Sequence, residues 1–280
     1  MSYELIEVTP LAGSLDAEIS GVDMAQPLGN QLYQEVHGAL IENQVIFFRD
    51  QEITPAQHVN FARQFGTLQV HPLVSHLEEH PEVLVLESKD DKRNSANAWH
   101  SDVTFSDEPP LGSILLARKV PGRGGDTIWA NMYAAYEALS PAMKRYLKGM
   151  TAIYSADGAQ FEKTHEKDNA RGGEVKEIKQ KIAPAEHPIV RTHPETGRKA
   201  LYINSIFTQR VRGVTGKESL AILDYLLDHL RTPEFTCRFH WTRNSVAFWD
   251  NRRTQHYAIA DYGGAHRLMH RVTVNGGRPV

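Results

Sequence analysis

The sequence predicts a mainly β protein with helical additions, a β-sandwich or jelly roll. Short apolar runs recur along the chain, and Gly and Pro punctuate them. Helical patterns cluster between those runs. No internal repeat, low-complexity tract or linker divides the 280 residues, so a single domain spanning 1–280 is expected.

Leu5-Ile6-Glu7-Val8 and Ala17-Glu18-Ile19 read as strands, and residues 31–43 as an amphipathic helix. Val45-Ile46-Phe47-Phe48 is apolar throughout and short enough for a buried strand. Thr54-Pro55 opens a helix, with Thr as N-cap and Pro in the first turn, and it should stop near Gly66. Residues 83–86, 112–117 and 125–129 are β-like. Residues 133–150 read as one or two helices, with Ser140-Pro141 as the break. The polar segment 156–186 is expected to be a solvated surface stretch or a lid over a site. A helix follows over 218–231, with Leu220, Leu223, Leu226, Leu227 and Leu230 on one side. Residues 236–241, 245–249 and 267–273 return to strands.

Composition narrows the function. Hydrophobic residues make up 41% and charged residues 23%, with a net charge of -3. No nucleic-acid partner is expected from such a balance. No apolar stretch reaches bilayer length, so no membrane partner is expected either. Met1 to Pro10 lacks the pattern of a signal peptide. Cys237 is the single cysteine, which fits a reducing cytoplasmic setting and excludes multi-cysteine zinc sites. Any transition metal must therefore be held by carboxylates and some of the 14 histidines, a set that suits iron(II), zinc, nickel or copper.

Trp99-His100-Ser101-Asp102-Val103-Thr104-Phe105 holds the one His-x-Asp in the chain. The Val, Thr and Phe favour a strand, which would turn His100 and Asp102 to one face. Roughly 0.7 such pairs are expected by chance, so the pair alone proves little. His76/Glu78, His80/Glu82 and His193/Glu195 are His-x-Glu decoys of the same kind. A second element is His256, in Trp249-Asp250-Asn251-Arg252-Arg253-Thr254-Gln255-His256-Tyr257, with ten residues between it and Arg267. Two His and one carboxylate form the facial triad of non-haem iron(II) oxygenases, with positions left for a 2-oxo acid and dioxygen. The far carboxylate of such an acid needs a cation, and Arg267 offers a planar fork.

Taken with Gly124-Gly125-Asp126-Thr127, these motifs resemble the taurine/2,4-dichlorophenoxyacetate dioxygenase family of iron(II)- and 2-oxoglutarate-dependent oxygenases. The resemblance runs from Ile19-Ser20-Gly21 to Met269-His270-Arg271. It implies a double-stranded β-helix, a cupin-like jelly roll, with His100, Asp102 and His256 on the metal. It implies that Thr127 and Arg267 hold 2-oxoglutarate, that O2 is the oxidant, and that the protein is a dimer or tetramer. Trp129 and Trp249 should pack near the metal, while Asp250 and Asn251 should shape the loop before His256. In sulfonate-oxidising members the substrate anion meets positions matching His71, the Val103 N–H and Arg271. A strand would put Arg267 and Arg271 on one face with Met269 between them, an expensive pair of cations unless anions neutralise both.

Positions that serve the amine of taurine in the family are Val74 and Ala96 here, with Asn94 and Asn97 nearby. A buried amine would lose hydrogen bonds worth about 1–3 kcal/mol each. The expected substrate is thus a small organosulfur anion, a longer alkanesulfonate or alkyl sulfate before taurine. Hydroxylation beside its anionic group would release aldehyde plus sulfite or sulfate, with succinate and carbon dioxide. The same chemistry on an aryloxy or other carboxylate is one alternative. A non-catalytic jelly-roll binding protein and a zinc hydrolase are others, the latter with no use for Arg267 and Thr127. Within the family, Asp102 argues against halogenation and leaves desaturation open.

Overall fold

The computed structural model describes residues 3–71, 74–89, 97–157 and 182–280. Two sheets face each other across an apolar core. The larger has seven strands in the order β1 (Glu7–Pro10), β2 (Ala17–Ser20), β3 (Val45–Phe48), β13 (Val246–Asp250), β5 (Gly112–Lys119), β15 (Arg267–Val274) and β4 (Val83–Ser88). The smaller is β12 (Thr236–Phe239), β6 (Thr127–Asn131) and β14 (Thr254–Ala258). Neighbours that lie far apart in sequence give the crossing connectivity of a jelly roll.

The continuous apolar runs are explained by burial on both faces. In β3, Val45 and Phe47 point into the space between the sheets, where they meet Trp129, Phe239, Trp249 and Met269. Ile46 and Phe48 point the other way, toward α1 (Asn30–Asn43) and α2 (Pro55–Arg63), and meet Val36, Leu40, Val59 and Phe61. The same alternation runs along β15. Arg267, Met269 and Arg271 are buried on one face, so the predicted pairing of the two arginines holds.

A third cluster covers the end of the smaller sheet. It joins α3 (Met132–Glu137), α4 (Pro141–Leu147) and α5 (Gly216–His229) to short strand pairs. One sheet is β11 (Thr208–Val211), β7 (Thr151–Tyr154) and β8 (Ala185–Pro188); another is β10 (Lys199–Leu201) with β9 (Val190–Thr192). These five strands, and β14, were not predicted. On α5 the leucine stripe is narrower than expected. Leu223, Leu226 and Leu230 are buried, but Leu220 is 61% exposed, because only part of the helix face meets the core.

The segment around His100 is also corrected. Residues 102–105 form a turn, not a strand, and Val103 has φ 54°. Local strand propensity yields there to tertiary contacts. Ala96, Asn94 and most of the polar segment 156–186 lie outside the described residues.

Candidate active site

His256 stands on β14, opposite Trp129 of β6, and faces the space between the sheets. His100 extends that sheet by one residue. Its N–H donates to the His256 carbonyl at 3.1 Å, and the His256 N–H donates back at 2.8 Å. This reciprocal pair brings the two rings to a centroid separation of 4.1 Å. His100 Nδ1 lies 2.8 Å from the Ala98 carbonyl, which can only accept. Nδ1 therefore carries the proton, and Nε2 presents its lone pair to the interior.

Asp102 completes the group from the turn. Its Oδ1 lies 3.8 Å from His100 Nε2 and 4.0 Å from His256 Nε2. Metal–ligand bonds of about 2.1 Å let one ion bridge donors at such separations. These three residues are all buried, and their donor atoms lie within 4.8 Å of one another. Burial holds both imidazoles neutral by lowering their pKa, and for His256 the shift is large. Burial alone would raise the Asp102 pKa, but the Arg271 guanidinium and the hydrogen bond from Ser113 outweigh it and keep the carboxylate ionised. Two neutral imidazoles and one carboxylate are the donor set of a facial triad, so the residues fit a divalent transition metal.

Asp102 is held from several sides. Ser113 Oγ on β5 donates to its Oδ2 at 2.8 Å, and Arg271 Nη1 donates to its Oδ1 at 2.6 Å. The side-chain amide of Asn251 clamps the backbone. Its Oδ1 accepts from the Asp102 N–H at 2.7 Å, and its Nδ2 donates to the Asp102 carbonyl at 3.0 Å. Asn204 Nδ2 donates to Thr104 Oγ1 at 2.9 Å. A β-branched residue at positive φ costs on the order of 1–2 kcal/mol, and these contacts hold Val103 there. Sequence reasoning gave Asn251 a loop-shaping role and missed the clamp, which joins residues 149 apart.

Thr127 opens β6 two residues after Gly125, where a Cβ would lie 3.5 Å from Arg267 Cδ. Trp241 Nε1 donates to Thr127 Oγ1 at 2.9 Å, which leaves the threonine O–H free to donate. Arg267 is 3% exposed, and no carboxylate pairs with it among the described residues. Its pKa is lowered by burial. The turn beside it needs glycine. Gly124 and Gly125 have φ of 71° and 75°, and a side chain on Gly125 would press on Tyr262 and approach Arg267. Asp126 secures this turn, accepting from Arg238 Nε at 2.7 Å and pairing with His240 Nδ1 at 2.8 Å.

Trp249 and Trp129 pack against His256 at centroid separations of 4.9 and 6.5 Å, as expected. His71 is buried and Val74 half-buried.

The profile of taurine catabolism dioxygenase TauD, TfdA family, matches residues 7–273. The chain belongs to the TauD/TfdA family. An alkylsulfatase from Acinetobacter baylyi is 36% identical, over 97% of this chain and 85% of the relative. An alpha-ketoglutarate-dependent sulfate ester dioxygenase from Pseudomonas putida is 35% identical, over 98% of this chain and 91% of the relative. Among solved structures, a taurine dioxygenase from Burkholderia xenovorans superimposes with TM-score 0.85 at 36% identity, covering 99% and 93% of the two chains. AAD-2 in complex with Mn(II) and N-oxalylglycine superimposes with TM-score 0.83 at 28% identity, covering 98% of each chain. The fold is thus the TauD/TfdA jelly roll, and the chain is an oxidoreductase of that family.

Proposed function

We propose that this TauD/TfdA protein is an iron(II)- and 2-oxoglutarate-dependent dioxygenase that hydroxylates the carbon next to the anionic group of a small organosulfur compound, an alkyl sulfate first. The observation that carries the reading is the placement of two buried arginines, Arg267 and Arg271, on one strand face beside a buried His/Asp/His group. Arg267 has no carboxylate partner among the described residues, and Arg271 shares Asp102 with the metal position, so two anions, co-substrate and substrate, would complete the neutralisation. The relatives named for sulfate esters favour the ester over the sulfonate.

His100 Nε2, His256 Nε2 and Asp102 Oδ1 would hold the iron, and Arg267 with Thr127 would grip the distal carboxylate of 2-oxoglutarate. Iron(II) with 2-oxoglutarate and O2 supplies the oxidising power, with succinate and carbon dioxide as by-products. The protein supplies orientation. Arg271 reaches within 2.6 Å of the triad carboxylate, so an anion held by it lies beside the metal ligands. The carbon bonded to that anion is then the one presented for oxidation. His71 and the Val103 N–H are the other groups assigned to the anion. A hydroxyl on the carbon bearing a sulfate ester collapses to aldehyde and sulfate.

Succinate, sulfate and sulfite are measured in parallel under air with iron(II), 2-oxoglutarate and ascorbate. The panel is taurine, longer alkanesulfonates, alkyl sulfates and aryloxyacetates. Equal succinate and sulfate release from alkyl sulfates is expected. Best turnover with taurine would overturn the ester reading. Succinate coupled only to aryloxyacetates would overturn the organosulfur class.

A further inference from the structure

The turn after Asp102 is strained, and it carries a backbone donor with nothing to bond. Val103 holds φ 54° and is buried, and no acceptor takes its N–H among the described residues. A buried N–H is nearly always paired, so this one awaits an acceptor from outside the chain. It is also the N–H assigned above to the substrate anion. A β-branched residue leaves the left-handed region unless its neighbours hold it there. The Ser106 N–H closes the turn on the Val103 carbonyl at 3.0 Å. Asn251 grips the Asp102 end, and Asn204 grips the Thr104 side chain. The carbonyls of Thr104 and Ser106 bond elsewhere.

Both are taken by His187 of β8. Its Nε2 lies 3.0 Å from the Thr104 carbonyl oxygen and 2.9 Å from that of Ser106. Carbonyls only accept, so Nε2 carries the proton and shares it between them. The ring is neutral, because burial lowers its pKa. Nδ1 is then a bare lone pair, buried and without a hydrogen-bond partner among the described residues. Packing does not explain such a group, since an aliphatic side chain would fill the space without stranding a polar atom. The imidazole sits between Tyr154, at a centroid separation of 5.0 Å, and Tyr202, at 5.9 Å. Those rings limit its rotation and keep the Nε2–H on both carbonyls. Tyr154 is fixed in turn, its hydroxyl donating to the Tyr202 carbonyl.

We propose that His187 is a positioning residue for the substrate, holding the 103–106 turn so that the Val103 N–H faces the anion. This role rests on the function proposed above. Its hydrogen bonds go to the turn and not to the triad. Loss of His187 should therefore fall on substrate affinity and on the coupling of 2-oxoglutarate consumption to product, and spare the iron site.

Paired variants test it. A Gln amide reaches as far as Nε2, whereas an Asn amide reaches only as far as Nδ1. Under air with iron(II), 2-oxoglutarate, ascorbate and hexyl sulfate, His187→Asn should raise the KM for the ester about tenfold or more and lower kcat less. Succinate should outrun sulfate. Anaerobic binding of iron(II) and 2-oxoglutarate should stay within about twofold of wild type, because Asn251 and Ser113 still hold Asp102. His187→Gln should recover most of the wild-type KM. The same KM in all three proteins would overturn the proposal, as would iron affinity falling as far as ester affinity. Amide hydrogen exchange read by mass spectrometry needs no substrate. Residues 102–106 should exchange faster in His187→Asn than in His187→Gln, and equal exchange would overturn the clamp. If the wild type oxidises no hexyl sulfate, the alkyl sulfate reading fails and exchange still decides whether His187 holds the turn. Should far-UV circular dichroism show His187→Asn unfolded, the wild type decides. Saturating hexyl sulfate, added anaerobically to the chain with iron(II) and 2-oxoglutarate, should slow exchange at 102–106 and 185–188 together. Slowing confined to 102–106 would overturn the link.

Discussion

Two aspartates lie deep in this protein, and their surroundings differ in kind. Asp250 is saturated. Its Oδ1 accepts from Arg252 N–H at 3.0 Å and Arg252 Nε at 2.8 Å. Its Oδ2 meets Arg252 Nη2 at 2.8 Å, His193 Nε2 at 2.9 Å and Arg253 Nε at 3.0 Å. His193 Nδ1 accepts from the backbone N–H of Thr196 at 3.2 Å, so the imidazole is neutral and donates from Nε2. Asp102 is incomplete. Ser113 and Arg271 each give it one donor, while the two nearest imidazole nitrogens stand 3.8 and 4.0 Å away. Of these, His100 Nε2 has no proton to give. Buried carboxylates with a full set of donors hold structure; one facing lone pairs is arranged for a cation. The two sites are joined by the turn that carries Asn251, one residue past Asp250 and clamped to Asp102.

The largest effect should come from the incomplete aspartate, and on activity. Asp102→Ala should lower iron-dependent succinate formation by about a thousandfold or more, since a metal site contributes several kcal/mol to catalysis. Its thermal unfolding temperature should fall as well, because Arg271 and Ser113 lose their buried partner, but less than for Asp250, which has more partners. A strong loss of stability with activity retained would reverse the two roles.

Asp250→Asn should act on stability, by about 3–5 kcal/mol in urea unfolding at neutral pH. Burial opposes ionisation of Asp250, but Arg252, Arg253 and His193 hold its pKa well below 3.8. A carboxylate whose folded pKa is depressed stabilises fully above its unfolded value and loses that contribution as pH falls through the folded one. The gap between wild type and variant should therefore stay level from neutral pH down to about pH 5 and narrow only below about pH 4. A gap that already closes between pH 7 and 5 would contradict the ion-pair account.

Asn251→Ala tests the link between the sites and should have the smallest effect. Loss of the clamp should weaken iron(II) binding about 10–100-fold, the usual range for a group that orients a metal ligand. Anaerobic metal titration would show it, and unchanged affinity would make the clamp a packing feature.

Much of this organisation was legible because it is local. The four residues of β3 and the Thr54-Pro55 start of α2 depend on short patterns, and the structure reproduces both, including a capping box between Thr54 and Gln57. Arg267 and Arg271 share a face by strand periodicity alone. What escaped depends on distant partners. β7 pairs with β8 from Thr151↔Pro188 inward, across a long polar stretch that carries no apolar alternation. The Val-Thr-Phe run after Asp102 reads as strand, yet contacts to Asn251 and Asn204 turn it. The motifs single out His100, Asp102 and His256, and the structure brings their donor atoms within 4.8 Å of one another; the strand expected after His100 is a turn, and the reciprocal hydrogen bonds of His100 and His256 bring the histidines together.

Asp102 and Arg267, the latter without a carboxylate partner among the described residues, would together form one iron and 2-oxoglutarate site. Its most direct test is an anaerobic titration of the metal-free protein with iron(II) and then 2-oxoglutarate, followed by optical absorption. The account predicts one iron per chain and a metal-to-ligand charge-transfer band that saturates at one equivalent of 2-oxoglutarate. In Arg267→Gln the iron should still bind, while the band should need far more 2-oxoglutarate. No band in the wild-type protein at saturating iron and 2-oxoglutarate would contradict the account.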